Sequence, residues 1–311
     1  ATNATLSLAN VQTGSAAGYS VGVTNSVGSA TSNPAALTVQ ENRSRIVNLS
    51  IRSTAGTGDQ TLIVGFSVAG NGKPLLIRGV GPTLRTFGVT GVLADPLVTL
   101  YSDAASMASN DDWGTAANAA QVAATARQLG AFALASDSLD AALLTTLNGG
   151  AYTAQAAGVG GSRGVVLVEL YDANTAAEAR LTNVSARAQV GTGESILIAG
   201  FTIAGSGRKS VLIRAVGPGL SGFGVGGVLL DPRVQLYRSG GSTPIAVNDD
   251  WDGANGTALR NAFAQIGAFA LNAGSYDAAL LASLDPGSYT AQVSGADGAT
   301  GVALIELYEM Q

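Results

Sequence analysis

The sequence predicts an all-β protein, in which a short strand-rich segment is followed by two homologous β-sandwich domains, each carrying one short helix. Three observations lead there. Apolar residues alternate with polar ones in runs bounded by Gly, Pro, Asn and Asp, the pattern of half-buried strands. One long stretch of sequence occurs twice. Finally, 42 of the 311 residues are Gly while only 12% are charged, a balance closer to a turn-rich β-protein than to a helical enzyme.

The first forty residues stand apart from the repeat. "GYSVGVTN" and "NSVGSATSNPAALTV" read as short strands joined by turns. The repeat then opens at Arg45 with "RIVNLSIRSTAGTGDQTLIVGF" and returns at Arg180 as "RLTNVSARAQVGTGESILIAGF". Later, "LGAFALASDSLDAALLTTLNGGAYTAQAAG" pairs with "IGAFALNAGSYDAALLASLDPGSYTAQVSG". Tyr101, Tyr152 and Tyr171 coincide with Tyr237, Tyr289 and Tyr308, and Phe66, Phe87 and Phe132 with Phe201, Phe223 and Phe269. The expected domains are therefore 1–40, 41–173 and 174–311. The linker "DANTAAEA" is too brief to let the two repeats drift far apart.

Within the first repeat, "TLIVGFSVAG", "PLLIRGV", "PLVTLYS", "DAALLTTL", "AYTAQAAG" and "GVVLVELYD" read as strands. Between the third and fourth, Ala119, Val122, Ala123, Ala126 and Leu129 fall at helical spacing, with Thr115 as N-cap and Gly130 as stop. The second repeat offers Leu259, Ala262, Phe263 and Ile266 before Gly267. "VGP" reads as a turn into a long crossover, "TFGVTGVLADP". The G-x-G-x-x-G match at "GPGLSG" lacks a βαβ setting and a counterpart in the other copy, so it carries no nucleotide site.

The first forty residues resemble the last three strands of a bacterial immunoglobulin-like domain, with Tyr19 in the tyrosine-corner position. The usual Asp before it is replaced within "SAAG", and no cysteine pair exists. "LYSDAASMASNDDWG", with the later "LDPGSYTAQVSG", is similar to the pre-peptidase C-terminal type of bacterial β-sandwich. The first copy has Asn148, Gly149 and Gly150 where that family has Pro-Gly. The whole repeat resembles tandem modules near the C-termini of very large secreted bacterial proteins built from immunoglobulin-like domains, and a jelly-roll-like sandwich is expected. That resemblance implies non-catalytic extracellular roles: spacing, adhesion, glycan or matrix contact, and sometimes calcium.

Composition narrows the chemistry. With neither Cys nor His there is no disulfide, thiolate, imidazole base or His-bound zinc. The net charge of -5 and the lack of a basic run argue against nucleic acid or an anionic membrane as partner. No apolar run reaches the ~20 residues that span a bilayer, and a chain opening on Ala without a signal peptide is read as a piece of a longer precursor.

Both tryptophans follow the same tripeptide, Asn110-Asp111-Asp112 before Trp113 and Asn248-Asp249-Asp250 before Trp251. Oxygen ligands on a loop suit calcium, and Asp140 and Asp277 would complete each shell. The competing reading is a capped turn over a buried ring. Exposed, Trp113 and Trp251 could instead stack on a sugar. Adjacent Asp111 and Asp112 cannot flank a scissile bond, so no enzyme is expected. Arg78 and Arg214 end apolar strands, and Glu169 and Glu306 share a strand face with Val165, Leu167 and Tyr171 or their equivalents; charges among apolar neighbours predict a cross-strand ion pair inside each sandwich. The expected role is a subunit of an extracellular cell-surface fibre assembled through β-strand contacts with copies of itself or with the rest of a parent chain. The alternative is a glycan-binding or adhesion module.

Overall fold

The computed structural model describes residues 5–8, 11–39, 42–56, 61–176 and 178–310. It divides into a small unit ending at Arg43 and a large one beginning at Ser44, three residues beyond the expected boundary. In the small unit, β1 (Ala17–Tyr19) pairs with β4 (Ala35–Leu37), and β2 (Gly22–Thr24) with β3 (Ser29–Thr31). The β2–β3 turn is held by Asn25, whose Oδ1 accepts from Val27 N at 2.8 Å and Gly28 N at 3.0 Å. The Tyr19 hydroxyl donates to the Ser15 carbonyl at 2.8 Å, the backward bond of a tyrosine corner.

The first repeat contributes β5 (Arg45–Ala55), β6 (Leu62–Ala69), β7 (Lys73–Val80), β8 (Pro96–Ser102), β9 (Ala105–Asn110), α1 (Ala119–Gln128), β10 (Ala141–Leu147), β11 (Gly150–Gly158) and β12 (Gly164–Asp172). The second gives their counterparts: β13 (Arg180–Val190), β14 (Leu197–Ala204), β15 (Lys209–Val216), β16 (Pro232–Arg238), β17 (Ala246–Asn248), α2 (Gly256–Ile266), β18 (Ala278–Leu284), β19 (Gly287–Gly295) and β20 (Gly301–Glu309). The six strands expected per repeat are present, and β5 and β9 with their counterparts are additional. Asn118 rather than Thr115 precedes α1, because Thr115 closes a separate 3-10 turn that begins at Trp113. Gly267 ends α2 in the left-handed region at φ 69°, as expected.

All sixteen strands lie in two antiparallel sheets, ordered β10-β7-β12-β5-β14-β19-β16-β17 and β18-β15-β20-β13-β6-β11-β8-β9. Each repeat therefore forms one sandwich of two four-stranded halves, β10-β7-β12-β5 over β6-β11-β8-β9. Numbered from one to eight within the repeat, those halves read 6-3-8-1 and 2-7-4-5, which is the jelly-roll arrangement. The two sandwiches then join edge to edge, β5 to β14 and β13 to β6, so that both sheets run unbroken through the pair.

The joint is close because small residues face each other across it. Gly200 lies opposite Ser50 and Gly65 opposite Ser185. A Cβ on Gly200 would sit 2.5 Å from Ser50 Oγ, and one on Gly65 2.8 Å from Ser185 Oγ. At each joint one strand carries an extra residue in the register, Val47 on β5 and Thr182 on β13. One apolar core fills the space between the sheets and draws on both repeats, from Ile46 and Phe66 to Phe201 and Ile305. The outer faces are covered as well. On β7, Leu75 and Ile77 point into this core while Leu76 packs under α1 with Trp113 and Val122. On β15, Leu212 packs under α2 with Trp251, Leu259 and Phe263.

Candidate functional site

The Asn-Asp-Asp-Trp stretch turns the chain from the sheet edge into the helical layer, and backbone bonds fix it there. Asn110 Oδ1 accepts from Ala142 N, and Asn248 Oδ1 from Ala279 N, both at 2.8 Å. The Trp113 and Trp251 backbone N–H groups donate to the Asp140 and Asp277 carbonyls, both at 2.9 Å.

Asp140 and Asp277 are wholly buried, and their carboxylates bond the turns that begin at Gly81 and Gly217. Asp140 Oδ1 accepts from Gly81 N at 2.8 Å, and its Oδ2 accepts the Thr83 hydroxyl. Asp277 Oδ1 accepts from Gly217 N at 2.8 Å and Gly219 N at 3.1 Å, with the Ser275 hydroxyl at 2.7 Å from Oδ2. The hydroxyl that Gly219 lacks is thus supplied from another loop. Gly81 and Gly217 are required for this turn, since a Cβ there would meet the Leu93 or Leu229 carbonyl oxygen at 2.1 or 1.9 Å.

These bonds engage the side-chain oxygens of Asn110, Asp140, Asn248 and Asp277, four of the eight residues of the expected calcium shells, the others being Asp111, Asp112, Asp249 and Asp250. Among the described residues, no group of three or more acidic side chains is placed to hold a metal ion. Buried N–H donors offset the charge of Asp277 instead. Asp277→Ala should therefore cost about 3 kcal/mol by stranding those donors; an unchanged denaturation midpoint would refute the capping role.

The tryptophans are buried too, at 7% exposure for Trp113 and 1% for Trp251, which removes the expected sugar-stacking face. Trp113 Nε1 donates to the Ala135 carbonyl at 2.9 Å, and Trp251 Nε1 to the Asn272 carbonyl at 3.2 Å.

Beside each corner lies a carboxylate that pattern reading missed. Burial first, and then Asp112 and Asp111, push the Asp95 carboxyl above its ordinary value. Asp231 is raised in the same way, by burial and then by Asp250, Asp249 and Asp297. A raised acid binds more protons folded than unfolded, so stability falls as pH rises from 3.8 through the folded value. Asp95→Asn and Asp231→Asn should accordingly raise the melting temperature at pH 7 and leave it unchanged near pH 3, below both values.

Behind the corners sit the expected ion pairs. Arg78 lies opposite Glu169, and Arg214 opposite Glu306, on adjacent strands. Arg78 Nε donates to Glu169 Oε2 at 2.8 Å, and Arg214 Nε lies 3.1 Å from Glu306 Oε2. Their place differs from expectation: they lie on the outer faces of the sheets, beneath the helix and crossover, because Ile77 and Ile213 beside them point inward. Tyr171 and Tyr308 donate to the same carboxylates at 2.8 and 2.7 Å, and burial, then Glu169 or Glu306, raises both phenols. Each guanidinium lies over a phenyl ring, with Phe132 and Phe269 both at 4.3 Å.

Two grooves of about 450 Å³ cross the outer sheet faces at the joint. One is edged by the exposed Phe87 and floored by Ser50, Arg52, Thr290 and Gln292. The other is edged by Phe223 and includes Thr153, Ser185 and Arg187. No family model and no curated protein matches the chain.

Proposed function

We propose that this protein is a non-catalytic structural component of a bacterial cell surface. In this reading residues 1–43 pair with strands of another chain, and residues 44–311 serve as a stiff spacer. The small unit is the observation that carries the proposal. Its described residues form four three-residue strands in two ribbons, with Val21 60%, Val23 64% and Val27 92% exposed. Two-stranded ribbons of this length bury no core, and their edges invite further strands. The resemblance of this segment to the end of an immunoglobulin-like domain, whose missing strands another chain could supply, supports the same view. So does the use of the duplicated Asp, Trp and Arg–Glu groups, which are engaged in holding turns and ion pairs.

Light scattering and negative-stain microscopy of the full chain test the proposal. Concentration-dependent oligomers or fibres are expected, and Val21→Lys with Val23→Lys should disperse them. Monomers at every concentration would overturn it. The two grooves favour a second reading, adhesion to glycans, with an aromatic edge and hydrogen-bonding floor in each. Glycan-array binding lost on Phe87→Ala and Phe223→Ala would establish that role.

A further inference from the structure

The two repeats differ most informatively beneath their helices. Phe263 of α2 fills the space between Trp251 and Arg214, its ring centroid 5.5 Å from that of Trp251 and 4.6 Å from the Arg214 guanidinium carbon. Arg214 is thereby clasped between two rings, Phe263 and Phe269. Arg260, one turn earlier, lies over the Trp251 ring at 5.4 Å. The equivalent positions of α1 are Ala126 and Ala123, counting back from the shared Gly-Ala-Phe-Ala that follows each helix.

Where the phenyl ring would lie, the first repeat has a cavity of about 240 Å³ bounded by Trp113, Arg78, Val122, Ala123 and Ala126. An apolar cavity of about 150 Å³ is enough to take up benzene. The polar groups of Arg78 are already engaged, by Glu169 and by the Phe132 carbonyl. Toward the cavity, then, it offers an attractive surface for a π-system. At the rim stands Arg127, exposed and in no ion pair among the described residues. The second repeat has Ala264 there.

We propose that this cavity is a binding site for a small monocyclic aromatic acid. The ring takes the place that Phe263 holds in the other repeat, against Trp113 and Arg78, and the carboxylate meets Arg127. The proposal is independent of the assembly reading.

Phenylacetate, titrated into the full chain by calorimetry and by Trp fluorescence, tests it. Saturable binding of one equivalent is expected. Ala126→Phe, which copies the second repeat, should weaken it at least tenfold with the fold retained, shown by an undiminished melting temperature. Arg127→Ala should weaken phenylacetate several-fold and leave toluene binding unchanged. Absence of saturable binding overturns the proposal, as does unaltered binding in Ala126→Phe. Should Ala126→Phe fail to fold, equal phenylacetate affinity in wild type and Arg127→Ala overturns it.

Discussion

Glu306→Gln is expected to lower the melting temperature by roughly 6–12 °C, from about 3 kcal/mol lost on uncharging one side of a buried pair and 2–4 °C per kcal/mol in a body of this size. The substitution keeps an oxygen for the Tyr308 hydroxyl, removes the charge and puts an NH2 where Oε2 faced the guanidinium. Arg214 is fully buried, and without Glu306 its one remaining bond among the described residues is to the Phe269 carbonyl at 2.9 Å. Burial already pulls the Arg214 guanidinium below its ordinary value, with Glu306 the largest opposing influence. The double replacement Arg214→Met with Glu306→Gln should cost less than Glu306→Gln alone, because no charge is left uncompensated. Thermal melts of both variants decide this, and a single variant that melts like wild type would rule the pairing out as a source of stability.

Phe263→Ala is the second large effect, about 3–5 kcal/mol from lost burial and the cavity left behind. Its ring touches Trp251, the largest fully buried side chain, so Trp fluorescence should shift to the red as the melting temperature falls. The predicted loss is asymmetric between the repeats. At Ala126 the same space is already open, and trimming that residue further removes almost nothing.

Much of the architecture was legible in the sequence, because six strands per repeat alternate cleanly and the repeat doubled each signal. β5 escaped because its alternation breaks at Val47 and Asn48, where the register shift inserts a residue. β9 escaped because it lies at a sheet edge with its side chains mostly exposed and no apolar face to betray it. The joint between sandwiches left no local mark at all, since Gly200 and Gly65 look like any glycine until Ser50 and Ser185 are placed opposite. At the corner, the bond from Gly81 N to the Asp140 carboxylate spans 59 residues, and a side-chain partner at that distance is not written in spacing. The cavity was in principle readable as Ala126 against Phe263. Helical periodicity accepts either residue as core, and so conceals the difference in volume.

The edge-to-edge joint also bears on how the two halves could come to differ. A lone repeat would end its half-sheets on bare edges equivalent to β5 and β6, each matching the other's counterpart on a second copy. It would thus carry a complete self-complementary interface, closed only at sufficient protein concentration. Tethering the copies makes that closure unimolecular and insensitive to dilution. It also lifts the constraint that every substitution appear twice, once on each side of the axis. Ala126 and Phe263 stand at one such pair of unequal positions: the interior beneath α2 is filled, while that beneath α1 holds a chamber of its own.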